Sequence, residues 1–136
     1  MGYDATIKRL DVSAIIDIQG EQSRIAEWAG NKLPPFPDVP NSASISNGLN
    51  LYWVGRMRWL LRADISREQE LLSVLRPSEA PAEISVVQIS DTLQFFSIRG
   101  PEAEDVISVV TPLDFHSTVF PQYGVSYTDI CGRKGL

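Results

Sequence analysis

The sequence predicts an α+β domain, with helices packed on one side of a mainly antiparallel sheet. Three observations carry that expectation. Apolar runs of period two alternate with runs of helical period. Closely spaced strand pairs imply hairpins, and hairpins pair antiparallel. Finally, one strand–glycine–helix unit occurs twice. Ile15-Ile16-Asp17-Ile18-Gln19-Gly20 leads into Glu21 to Ala29, and Phe95-Phe96-Ser97-Ile98-Arg99-Gly100 leads into Pro101 to Val110, 80 residues further on. Two copies make a pseudo-repeat of one supersecondary unit, not a solenoid.

The elements follow in order. In the first copy Ile25, Trp28 and Ala29 form the apolar face of a helix that Gly30 closes. Pro34, Pro35, Pro37 and Pro40, around Phe36 and Val39, then exclude helix and central strand. They read as a rigid extended connector, with a proline-rich ligand for an SH3-type domain as the less favoured reading. Leu49 to Val54 is a strand, Gly55 a turn and Met57 to Ala63 a second strand. In this hairpin Met57, Trp59, Leu61 and Ala63 share one face, while Arg58, Leu60 and Arg62 share the other. Ser66-Arg67-Glu68-Gln69 has the pattern of a capping box, with Ser66 as N-cap of a short helix through Leu75 that Pro77 stops.

Ile84 to Ile89 is a nearly continuous β-rich run, as expected of a strand covered on both faces. Ser90-Asp91-Thr92 turns into the strand Leu93 to Arg99. The helix of the second copy is the best specified, with Pro101 placed at its first position and Glu102, Glu104 and Asp105 at its positive end. Ala103, Val106, Ile107 and Val110 fall on one face of it. Val125 to Cys131 reads as a final strand and Gly132 to Gly135 as a frayed end. The expected order is β-α-β-β-α-β-β-α-β.

Composition narrows the function classes. A chain of 136 residues with 43% apolar residues suits one domain, residues 1–136, with a single core. The net charge of −5, without any clustering motif for bases, sets nucleic acid aside. No apolar run approaches the roughly twenty residues that span a bilayer, and Met1 to Val12 has no apolar signal-peptide core, so neither membrane nor export is expected. A lone Cys131 fits a reducing cytoplasm. With one His and one Cys, a zinc site would have to lean on carboxylates, and no nucleotide, serine-hydrolase or zinc-protease motif occurs. His116 is expected as a surface imidazole and Cys131 as a buried strand thiol. Asp91 and Asp114 sit at turns, where capping of backbone amides outweighs an Asp114–His116 acid–base pair.

Several stretches, taken in order, resemble one family. They are Ile16-Asp17-Ile18-Gln19-Gly20, Leu51-Tyr52-Trp53-Val54-Gly55, Arg58-Trp59-Leu60-Leu61, Val87-Gln88-Ile89-Ser90-Asp91, Ile98-Arg99-Gly100-Pro101 and Pro112-Leu113-Asp114-Phe115-His116. Together they resemble the gamma subunit of heterotetrameric sarcosine oxidase, over roughly residues 14 to 131. The resemblance implies a folate-binding, aminomethyltransferase-like domain acting as a non-catalytic accessory subunit beside alpha, beta and delta partners. It implies FAD, FMN, NAD and zinc on other subunits, and a one-carbon unit passed to tetrahydrofolate after sarcosine is oxidised. It assigns no catalytic, cofactor or metal residue to this chain. The family pattern continues with a further strand and a C-terminal helix, which the stretch ending at Leu136 lacks. Two other readings stay open: a stand-alone folate-binding aminomethyltransferase-like protein, and a shortened paralogue that self-associates as a homo-oligomer.

The residues themselves offer one candidate surface. Arg56, Arg58 and Arg62 around Leu60, with Trp53 nearby, form a candidate subunit interface, because arginine and aromatic residues are enriched in such surfaces. A solvated strand face is the competing reading. Binding of a folate glutamate tail by the arginines is a weaker one, since no glycine-rich nest accompanies them.

Overall fold

A computed structural model describes residues 2–136. Its strands are β1 (Thr6–Arg9), β2 (Ser13–Gln19), β3 (Ala43–Ser46), β4 (Leu49–Gly55), β5 (Arg58–Asp64), β6 (Ser85–Gln88), β7 (Phe96–Arg99), β8 (Thr128–Ile130) and β9 (Arg133–Gly135). Its α-helices are α1 (Gln22–Ala29), α2 (Glu68–Leu75) and α3 (Ala103–Val110). All strand pairs are antiparallel. One sheet has the order β3-β4-β5-β2-β6, and two ribbons, β1-β7 and β8-β9, stand apart from it.

The larger sheet owes its stability to period-two alternation in β2 and β5. Ala14, Ile16, Ile18, Trp59, Leu61 and Ala63 share one face, and α1 and α2 close over it with Ile25, Ala29, Leu71 and Leu75, all in one buried cluster. The helices therefore lie on one side of this sheet, as the pattern requires. The proline connector completes that core: Pro34 and Pro37 are buried, and Phe36 meets Trp59 edge-on with centroids 5.4 Å apart. On the opposite face Ile15, Val54 and Leu60 form a second cluster, covered by Ile89, Leu93, Phe95 and Val125. This second cluster joins the sheet to the rest of the chain.

The repeat extends further than the sequence suggested, and its two copies are interlocked. β6 pairs with β2 through Gln19↔Ser85, Ile18↔Val86 and Ile16↔Gln88. β1 pairs with β7 in the same way, through Arg99↔Thr6, Ile98↔Ile7 and Phe96↔Arg9. Just beyond each ladder the same backbone bond recurs, from Ile89 N to Ile15 O and from Leu10 N to Phe95 O. Each copy is thus strand–strand–helix, β1-β2-α1 and β6-β7-α3, and each lends its first strand to the second strand of the other. The glycines close both units. A Cβ on Gly20 (φ 148°) would lie 3.2 Å from Glu83 O, and one on Gly100 (φ 128°) 2.6 Å from Asp4 O, so in both places the incoming strand approaches too closely for any other residue.

Five sequence expectations need correction. The β4–β5 turn is Arg56-Met57, not Gly55; Met57 has φ 57° and leaves the alternation, exposed. Ser66 does not cap α2: Asp64 accepts from Ser66 N at 2.9 Å, and a 3-10 turn, Ile65–Arg67, precedes the helix. Ile84 to Ile89 is not covered on both faces, because β6 is an edge strand and Val87 is half exposed. Pro101 lies in the turn before α3 rather than at its first position. The final strand is shorter than expected, and Gly132 to Gly135 is not frayed: Cys131 (φ 50°) and Gly132 (φ 78°) make a tight hairpin turn into β9. Cys131 is consequently exposed, not buried in a strand.

Candidate functional site

The polar groups of the chain converge on the second face of the large sheet. Residues on neighbouring strands that point the same way meet there. Asp17, alone among the isoleucines of β2, is buried at 9% exposure. Arg58 of β5 grips it with both ends of its fork, Nε to Oδ1 at 3.1 Å and Nη2 to Oδ2 at 3.0 Å. Gln19 Nε2 adds a third bond to Oδ2 at 3.3 Å. This paired, charge-assisted geometry is the strong form of an Arg–carboxylate contact. The hydrogen bond to Asp17 raises the Arg58 pKa above its usual value, against the opposing effect of burial. The Tyr127 ring lies 5.7 Å from the same guanidinium.

One strand step along, Arg62 donates from Nε to Ser13 Oγ at 3.0 Å and from Nη1 to Tyr52 Oη at 3.3 Å. Its guanidinium sits 4.1 Å above the Phe95 ring, a cation–π contact. Nearby, Ser90 Oγ accepts from Ile15 N at 3.0 Å, which satisfies a buried amide. The face is therefore an internal network in which each arginine bonds the sheet and stacks on an aromatic ring from the second half of the chain.

The structure brings together three of the five residues grouped from the sequence. Arg58 and Arg62 flank Leu60, which is 1% exposed and so supports the surface from beneath. Trp53 belongs to the other face, stacked on Trp59 with centroids 5.9 Å apart and donating from Nε1 to Gly55 O at 3.1 Å. Arg56 is in the hairpin turn, exposed. Asp17, Tyr52, Ser13 and Tyr127 were missed by sequence reasoning. For Asp17 a signal existed, a carboxylate whose parity opposes Ile16 and Ile18; for Tyr127 none did, since only the fold brings it back across the sheet.

The other polar candidates are local. Asp114 Oδ1 accepts from His116 N at 2.9 Å, and His116 Nδ1 pairs with Thr118 Oγ1 at 2.8 Å, so this segment is a capped turn with an exposed imidazole. Asp91 is exposed in the Ser90–Thr92 turn. Among the described residues no group of three or more His, Cys, Asp or Glu converges, and no helix is long and apolar enough to cross a membrane. The two best-formed concavities are open depressions, one between Trp28 and Pro81 and one beside Arg9, Gln94 and Phe95.

No family model matches the sequence, and no curated protein matches it either. Among solved structures, a chain of heterotetrameric sarcosine oxidase from Corynebacterium sp. U-96, in complex with pyrrole 2-carboxylate, is similar with a TM-score of 0.76 at 18% identity. The fold is that of a sarcosine oxidase chain. The match covers 96% of this chain and 67% of that one, so about a third of the sarcosine oxidase chain has no counterpart here. Both the α+β class and the antiparallel pairing read from the sequence agree with this likeness.

Proposed function

We propose that this chain is a non-catalytic accessory subunit of a heteromeric, sarcosine oxidase-like flavoenzyme. One observation carries the reading: nearly the whole chain shares the fold of a chain from an enzyme that is itself a heterotetramer. The internal pairing of Arg58 and Arg62 supports it, because the strongest charged groups of the chain are engaged in holding the fold together. In this reading the flavins, NAD and zinc sit on partner subunits of alpha, beta and delta type, the one-carbon unit passes to tetrahydrofolate elsewhere in the assembly, and the complex works in the cytoplasm. Of the basic group, Arg56 at the exposed β4–β5 turn is the side chain left to meet a partner.

Co-expression with larger subunits encoded beside it tests the proposal. The chain should purify with them in fixed stoichiometry, while the isolated chain should show neither flavin absorbance nor N-methyl amino acid oxidation. A tight stoichiometric flavin on the lone chain would sink the proposal. So would submillimolar binding of tetrahydrofolate by the lone chain in calorimetry, which belongs to a stand-alone aminomethyltransferase-like protein.

A further inference from the structure

The two copies of the repeat continue alike after their helices, up to one strand. Beyond α1 comes the hairpin β3–β4, turned by Asn47 (φ 52°) and Gly48 (φ 75°); beyond α3 comes β8–β9, turned by Cys131 (φ 50°) and Gly132 (φ 78°). Both are the same two-residue left-handed turn. The first sheet runs β3-β4-β5-β2-β6, with β5 bonded to β4 on one side and to β2 on the other. The equivalent strands of the second copy would run β8-β9, then a counterpart of β5, then β7-β1. Among the described residues nothing occupies that middle position, and the second sheet is split into two ribbons there.

Three features mark the edge of β7 as the side of a slot. First, the bond from Leu10 N to Phe95 O sets the phase of the β1–β7 ladder. In an antiparallel pair alternate residues bond inward, so Phe96 and Ile98 turn their N–H and C=O away from β1. Their equivalents Ile16 and Ile18 are the β2 residues paired with Leu61 and Trp59 of β5. Second, Ile16 and Ile18 are 1% and 0% exposed, whereas Phe96 is 58% exposed. Third, α1 buries Ile25 and Ala29, while α3, which has the better amphipathic pattern, buries none of its residues. The β8–β9 hairpin is held by α3 instead of β7, through Cys131 N to Val110 O at 2.9 Å and Thr111 Oγ1 to Thr128 Oγ1 at 2.9 Å.

We infer that the gap between β7 and β9 is a docking slot for one extended strand supplied by a partner polypeptide. The inference rests on the accessory-subunit reading for the identity of the donor. The strand lies antiparallel to β7 and presents apolar side chains at every second position toward α3, as Trp59, Leu61 and Ala63 do toward α1. A gap bounded by strands on both sides admits a single extended segment, not the rim of another folded sheet. A second copy of this chain, whose own β5 is already bonded on both sides, is therefore not the donor.

Hydrogen exchange on the full chain tests this, with a synthetic peptide of the sequence Arg56 to Ser66 as the probe strand. The Phe96 and Ile98 amides should exchange fast in the free chain and slow by at least ~10-fold with the peptide. A control peptide with lysine at the Trp59 and Leu61 positions should leave them fast. Phe96→Pro removes an outward N–H without touching the bonds to β1, so it should weaken peptide binding at least ~10-fold while the circular dichroism stays unchanged. Protection of these amides in the free monomer, or peptide protection at β6 instead, overturns the slot. Concentration-dependent dimerisation that protects the same amides overturns the partner assignment in favour of a second copy. If the chain assembles with larger subunits and these amides stay fast, the slot fails and the accessory-subunit reading stands. If the peptide fills the slot but no larger subunit binds, the slot stands and that reading fails.

Discussion

The same strand–strand–helix unit is built twice in this molecule and ends in two different physical states. In the first sheet the repeat strand β2 has a neighbour on each edge and two helices on one face, and Ile15, Ile16 and Ile18 are all at or below 1% exposure. In the second, β7 has the same register to its one neighbour but no second one, and its Phe96 is mostly exposed. The backbone plan and the glycines are shared. What differs is the supply of a third strand, which shows that burial in this fold comes from sheet width rather than from the repeat unit itself. A two-stranded ribbon has little stability of its own.

The largest expected effect is the asymmetry between equivalent core positions. Ile18→Ala should lower the unfolding free energy by about 3 kcal/mol, whereas Ile98→Ala should cost less than ~1 kcal/mol. Urea titration of both variants measures the difference, and equal costs would break the comparison. The glycines should differ in kind. Gly20→Ala strains a turn locked into the main core and should cost about 2 kcal/mol in the same titration. Gly100→Ala has the closer clash, but the ribbon can relieve it by letting β1 detach, so the effect should appear as faster exchange of the Lys8 amide with a smaller shift in the urea midpoint.

The repeat also places Asp17 and Ser97 at matching positions. Asp17→Ala leaves the Arg58 guanidinium without its partner; because Arg58 is 38% exposed, solvent screens much of the loss, and about 1 kcal/mol is expected. Ser97→Ala should change almost nothing. If the two substitutions prove alike, the second-face network adds no stability. The smallest effect concerns Asp64, at the end of β5. Its carboxyl is held below its ordinary pKa by the Ser66 hydroxyl and then by the Ser66 amide. The unfolded chain therefore takes up this proton first, so the contribution is complete above the ordinary carboxylate range and disappears as pH falls through the lowered folded value. Asp64→Asn should flatten the acid limb of urea midpoints measured between about pH 5 and pH 3. It should do so without altering exchange in β7.

Particular residues show how far the sequence could be read. The 80-residue repeat was visible because strand, glycine and helix recur as one contiguous pattern. Its first strands were not, since Thr6-Ile7-Lys8-Arg9 and Ser85-Val86-Val87-Gln88 share register but little chemistry. The faces of β5 followed from alternation, and Leu60 and Trp59 lie where period two puts them. The capping-box motif at Ser66 misled, because Asp64 offers its carboxylate two residues earlier and a 3-10 turn absorbs the entry. Grouping Trp53 with the arginines failed for a related reason: a β-bulge between Trp53 and Gly55 lies near the turn, and that indole belongs to the opposite face.

By itself, then, the sequence determined the elements, the antiparallel class, the apolar face of each element and the duplication, because these depend on local periodicity and on glycines that no other residue can replace. Only the tertiary structure decided which strands pair. β1 and β6 exchange between the copies, Tyr127 and Phe95 come to rest on Arg58 and Arg62, and β7 keeps one edge unpaired beside α3. Strand pairing is set by contacts between residues far apart in the chain, and no window of sequence contains both partners.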